Sequence, residues 1–351
     1  MTQADSQSTG TEQSDPSSER PRLRGRGDER TPQSAPSGIG IVGYIERLGV
    51  PVLLIALVIS FSIALPSTFP TSRNLSGILS TEDVGLILAL GGLLPLVCGE
   101  FDLSIGNVLG FSSMEVAILS LNHHVNIWVA SLITILTAAG IGVVNATLVL
   151  FFNVSSFIAT LATGTVLSGI TLLISNSTIV TGSFSPAFTK LGNGGPSGVA
   201  PGVFIALGLG VVIWYVLEHT PVGRRMEAIG QGRDAARLAG VRVKGLVFAS
   251  LVTSATVAGL AGILNTATQG SADPGVGPGF LLPALAAAFL GATTIRPGRF
   301  NVVGTALSVL LLAVGVNGLS QLGAPQWVGP VFNGGVLLLA VGAAQLRRRT
   351  V

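Results

Sequence analysis

Ten stretches of this chain stay apolar over nearly the thickness of a bilayer, at approximately 48–66, 77–98, 104–121, 126–150, 156–176, 201–218, 245–267, 280–295, 301–321 and 327–346. A helix needs about 20 mostly apolar residues to cross a hydrocarbon core about 30 Å thick. Lipid offers no hydrogen bonds to a peptide group, so each stretch must satisfy its own backbone, and a helix does so. The charge content agrees. Asp, Glu, Lys and Arg make up 10% of the 351 residues, where a soluble chain devotes roughly a quarter to keeping its surface wetted. These features predict an all-α, polytopic membrane protein with about ten transmembrane helices.

Residues 1–38 stand apart, being rich in Ser, Thr, Gln, Pro, Asp and Arg and almost free of large apolar side chains. Such a segment buries too little surface to offset its ordering entropy, so it reads as a disordered cytoplasmic tail ahead of one transmembrane domain, 39–351. It is too long and too mixed in charge for a secretory signal, so the first apolar run is expected to be a retained helix. Ten spans put both termini on one side. With that side as the cytoplasm, seventeen of the nineteen lysines and arginines lie inside and only Arg73 and Lys190 lie outside, as the positive-inside rule asks. The expected location is therefore the cell membrane, multi-pass, with both termini cytoplasmic. Trp128, Trp214 and Trp327 fall near predicted span ends, where an indole keeps its ring apolar and its N–H wet.

The single cysteine, Cys98, sits in an apolar run and supports neither a disulfide nor a Cys-based metal site. The basic residues lie in tails and loops without interleaved aromatics, which argues against nucleic acid as a partner. His123 and His124 fall in one loop and His219 on the other side of the membrane, and no acid, base and nucleophile cluster as an enzyme would need. Of the carboxylates, Glu100, Asp102, Glu115 and Asp273 can lie deep, which keeps an ion-coupled carrier of a small polar solute as the alternative reading. Neutral polar groups are more plentiful and suit an uncharged, hydroxyl-bearing solute. The candidate translocation or gating residues are Asp102, Ser104, Asn107, Asn145, Asn265, Asp273 and Asn317, with interhelical hydrogen bonding the competing role of each amide.

Two polar breaks interrupt the apolar pattern. In Gly99-Glu100-Phe101-Asp102-Leu103-Ser104-Ile105-Gly106, Asp102 is placed to cap a helix starting near Leu103, and Gly106 with Gly110 makes a small-residue step for close packing. The second, from Ser271 to Gly279, is dense in Gly and Pro, reads as irregular backbone and falls outside, between spans seven and eight. Both breaks follow a long helix, and both place an Asp a few residues ahead of a Gly. An odd number of spans separates them, which suggests a weak inverted repeat.

The longest inner connection, 219–244, is also the most charged. Asp234 is placed to cap a short helix that Gly240 ends. The run from Thr220 to Val241 resembles the cytoplasmic loop of the sugar-type ABC transporter permeases, the ribose, xylose, arabinose and galactose branch. Thr220, Gly223, Arg224, Ala228, Ile229, Gly230, Ala235, Ala236, Arg237, Gly240 and Val241 match that family's pattern. The resemblance extends to Phe101–Gly106, Ser156–Leu161, Ala258–Leu264, Gly270–Pro274 and Val316–Leu319, covering about residues 45–346. It implies a permease subunit of an ATP-driven importer of a monosaccharide or similar solute. It implies as partners an ABC ATPase, an extracytoplasmic solute-binding protein received by outer loops such as 177–200, a second permease copy, identical or related, and membrane lipid. An ATPase-docking loop at Gly223, Arg224, Ala228, Ile229, Gly230, Asp234, Ala235, Ala236, Arg237 and Gly240 follows from it. The chain has no G-x-x-x-x-G-K-[ST] and no Gly-Lys pair, so no cofactor is expected on this subunit, and ATP with Mg belongs to the partner. The sequence departs from the family pattern at Glu100 (commonly Gly), Ser155 (Pro), Arg233 (often Asn) and Ile295–Phe300, which replaces a Gly-Gly-rich turn. Phe151–Ser155 lacks the customary basic residue.

Overall fold

The computed structural model describes residues 41–195 and 198–348. The tail assigned to 1–38 lies outside the described residues. Among the described residues there are fourteen helices and one two-stranded ribbon: α1 Ile41–Ala64, α2 Ser72–Thr81, α3 Asp83–Val97, α4 Ile105–Leu121, α5 Ile127–Leu150, α6 Ser156–Ile174, β1 Val180–Thr181, α7 Pro186–Gly192, α8 Pro201–His219, α9 Pro221–Gln231, α10 Arg233–Leu238, α11 Val243–Gln269, β2 Ser271–Ala272, α12 Gly277–Gly291, α13 Val302–Gln321 and α14 Val328–Arg348. Each of the ten apolar runs is helical. The second is broken, with α2 and α3 meeting at 42° around Glu82. Side chains fix several helix starts: Thr71 accepts from the N–H of Asn74, Asn126 from Trp128 and Asn301 from Gly304.

The long helix α11 is the axis of the bundle and packs on α3, α4 and α5. Its membrane-length window is 61% buried, as is that of α13, against 28–33% for α5, α6 and α8. The outer helices face lipid with side chains such as Phe157, Leu161, Leu173 and Val211. Small residues let α11 approach its neighbours. A Cβ on Gly142 of α5 would come within 2.7 Å of the Val252 Cα, and one on Gly262 would strike the backbone of Leu109. In lipid, where tails are as apolar as leucine, such close backbone packing is what draws helices together.

The structure corrects two details of the breaks. Helix α4 starts at Ile105, and Asp102 does not cap its first turn; it accepts instead from the N–H and the Oγ of Ser104, at 3.1 and 2.6 Å. The second break does not stay outside. Ser271 and Ala272 pair with Thr181 and Val180, but α12 starts against Gly106 and Gly110. These lie level with Gly262 of α11, so the chain has sunk about 10 Å below the end of α11. Glycine permits this, because a Cβ on either Gly106 or Gly277 would come within 2.6 Å of the other's carbonyl oxygen.

This contact is reciprocal, and so is its setting. Gly99 and Gly270 each follow a helix with φ of +77° and +64°, a left-handed conformation that favours glycine. Asp102 and Asp273 each accept from the N–H two residues on, of Ser104 and Gly275. Gly106 and Gly277 meet. The three pairs share one spacing of 171 residues, and that spacing carries α4 onto α12, α5 onto α13 and α6 onto α14. The duplication hinted at by two Asp–Gly spacings thus spans four helices in each copy. Four spans, α4, α5, α6 and α8, lie between α3 and α11, so the two helices run in opposite directions and the copies are inverted.

Candidate functional site

Residues 219–244 fold into two helices where the sequence reading expected one. Thr220 accepts from the N–H of Gly223 and Pro221 occupies the first helical position, a start signal that was readable. Helix α9 buries Gly223, Met226 and Ile229 on one stripe, and the backbone of Gly230 lies so close to the Val97 carbonyl that no side chain fits between them. Helix α10 begins after Gly232, so Asp234 sits inside its first turn rather than at the cap; it pairs with Arg237 at 3.7 Å. Gly240, at φ +81°, ends the helix as expected. Ala236 is buried.

The segment therefore has two faces. Gly223, Ile229, Gly230 and Ala236 hold it to the bundle, and Ala228 is half-buried. Arg224, Asp234, Ala235, Arg237 and Gly240 point outward. Leu238, absent from the expected set, is 90% exposed at the end of α10; a single leucine beside an arginine gives no sequence signal for such exposure. Two ion pairs pin the segment further, Arg233 to Glu100 and Arg299 to Glu227 at 2.9 Å, and a third, Arg296 to Glu218, ties the end of α8 to the 295–300 turn. The departures Glu100, Arg233 and the 295–300 turn thus all fall at this junction. Between α9 and that turn lies a cavity of about 960 Å³, edged by Glu218, Arg224, Glu227, Gln231, Arg296 and Arg299.

The seven candidate pathway residues fall into separate places. Asp102, Ser104 and Asn145 form one buried cluster, in which Asn145 donates to Ser104 Oγ at 2.9 Å and Ser254 of α11 donates to Asp102 at 2.8 Å. Asn145 Oδ1 is buried without a partner among the described residues. Asn107 lies one turn on, against Gly164 of α6. Asn265 donates to Ser113, whose hydroxyl also meets Thr266 at 2.7 Å, joining α4 to α11. Asn317 accepts from Gln321, which also donates to Asn74 of α2. Asp273 is exposed in the second break. Of the other deep acids, Glu115 accepts from Thr137 of α5 at 2.9 Å. Glu82, at the α2–α3 bend, faces a cavity of about 170 Å³ together with Phe280 and Asn333; its sequence signal was the adjacent Glu82–Asp83 pair at the head of an apolar run.

A lipid-facing helical bundle with hydrogen-bonded polar breaks at its centre, and one amphipathic segment fastened to a single face, defines a membrane permease subunit. The family described as "Branched-chain amino acid transport system / permease component" matches residues 74–341. The ribose import permease protein RbsC of Escherichia coli K12 is 34% identical over 293 residues, covering 82% of this chain and 91% of the relative. The D-allose transport system permease protein AlsC of the same strain is 29% identical over 304 residues, 86% of this chain and 93% of the relative. The L-arabinose ABC transporter permease protein AraH of Azospirillum brasilense is 28% identical over 310 residues, 88% and 90% of the two chains. No solved structure matches significantly. The chain belongs to this permease-component family, within its sugar-type ABC transporter branch.

Proposed function

We infer that this chain is the translocation subunit of an ATP-binding cassette importer for a monosaccharide or a similar small polar solute. It works beside a second permease copy, identical or related. A separate ATPase, which binds ATP and Mg, docks on α9 and α10 at the cytoplasmic face, and a solute-binding protein engages outer loops including 177–200. The tails and residues 219–244 are cytoplasmic, as the basic residues favour. The Asp102, Ser104 and Asn145 cluster gates the pathway at the inner break, with Asn107 beside it; Asp273 marks the outer break, and Asn265 and Asn317 line or brace the route between helices.

The observation that carries this reading is the two-faced build of α9 and α10. One stripe is locked into the bundle, while Leu238 stands 90% exposed among Asp234, Ala235 and Arg237. An apolar tip rimmed by charge suits a partner's groove. Movement of that partner would pass to the bundle through the locked stripe and shift it between inward- and outward-open states.

The test is gentle purification of the tagged chain from its native membrane, with mass spectrometry of what accompanies it. A P-loop ATPase should co-purify, and Leu238→Asp should cut its yield about tenfold while the permease stays monodisperse. An intact chain that repeatedly arrives without an ATPase would shift the reading to an ion-coupled carrier. Uptake would then follow the proton gradient, and Asp102 and Asp273 would be the first residues to replace.

A further inference from the structure

The Glu100 and Arg233 pair joins two places that the chain order keeps far apart. Glu100 lies in the break between α3 and α4 with its side chain only 6% exposed, and Arg233 opens α10 with its side chain 46% exposed. Two residues beyond Glu100, Asp102 takes hydrogen bonds from Ser104 and from Ser254 of α11, and Ser104 takes one from Asn145 of α5. The ion pair and the polar cluster are therefore joined through the short backbone stretch from Glu100 to Asp102, which links the first residue of α10 to the place where α4, α5 and α11 meet. The Gly230 backbone packed on Gly99 gives the same junction a second, apolar contact.

We propose that Arg233 is a positioning residue that makes the α3–α4 break move with the docking segment, by holding the Glu100 carboxylate. The proposal rests on ATPase docking at α9 and α10. A carboxylate this buried stays charged only with a partner, so a displaced Arg233 draws Glu100 after it, or leaves it alone in an apolar setting. Glu100 is two residues from Asp102 in the same short turn. Displacement of α10 is then felt at the polar cluster. A chain with Gly and Asn at these two positions has no such link and must transmit through packing alone.

The experiment uses the complex purified with its own ATPase, in a Cys98→Ser background with Phe101→Cys as reporter. Phe101, 37% exposed, lies between Glu100 and Asp102. The reaction rate of that thiol with a small maleimide is read without nucleotide and after trapping with ATP and vanadate. With Arg233 present, trapping should change the rate about fivefold; in Arg233→Gln the change should fall to within about twofold at equal bound ATPase, and Arg233→Lys should restore it. The Glu100→Gln/Arg233→Gln double variant should regain the melting temperature that Arg233→Gln loses, because no buried charge is stranded, yet not the nucleotide response. A full response in Arg233→Gln, or its return in the double variant together with stability, would overturn the link. Absence of any ATPase from the parent preparation would instead strike the docking reading beneath it.

Discussion

At the scale of single residues, the same pair of charges has different worth in different surroundings. Asp102 receives three donors in a site closed to water, from the Ser104 N–H, the Ser104 hydroxyl and the Ser254 hydroxyl. Asp102→Ala strands all three and should cost about 2–5 kcal/mol, with Asp102→Asn milder because the hydroxyls can turn to accept; denaturation in detergent with the two variants side by side checks the order. The ion pairs divide similarly. Arg299 and Glu227 have side chains 54% and 32% exposed, so Arg299→Ala should cost no more than about 1 kcal/mol. Arg233→Ala leaves a carboxylate buried and alone and should cost several times that; equal losses in thermal unfolding would contradict the burial of Glu100. The residue types at these positions were plain in the sequence, and Glu100 and Arg233 stood out as departures. Their meeting was not, since only the fold brings position 100 to position 233.

At the scale of elements, helix existence was legible and helix depth was not. Apolar length marks a span well, and all ten runs are helical, because in lipid a backbone has few other ways to satisfy itself. The α9 helix was missed since it is only eleven residues long, three of them charged, and its buried stripe, Gly223, Met226 and Ile229, is short. The start of α12 was misplaced because Gly and Pro density signals irregular backbone without saying how far it sinks. The reciprocal approach of Gly106 and Gly277 gives a sharp expectation here. Gly106→Val and Gly277→Val should each be destabilising by about 3 kcal/mol or more, and by similar amounts, since each Cβ meets the other's carbonyl rather than a side chain that can yield. Melting temperatures of the two purified variants test it; a tolerated valine at either position would deny the contact.

At the scale of the whole molecule, the distribution of charge predicts an orientation that can be tested chemically. The sole cysteine is buried, so introduced thiols report with little background. Ser183→Cys, exposed between β1 and α7, should react with a membrane-impermeant maleimide on intact cells. Asp234→Cys should react only after permeabilisation, and the reverse pattern would invert the topology. The inverted repeat has a last consequence. Counting from their left-handed glycines, the second residues of the two breaks are Glu100 and Ser271. Glu100 is held by Arg233 of the segment on one side of the membrane, whereas Ser271 is held by the ribbon partner Thr181, from the loop on the other. One piece of backbone, used twice and upside down, is thus wired at the same position to opposite compartments. The Gly106 and Gly277 junction thus lies between two equivalent attachment points, one on each side of the bundle.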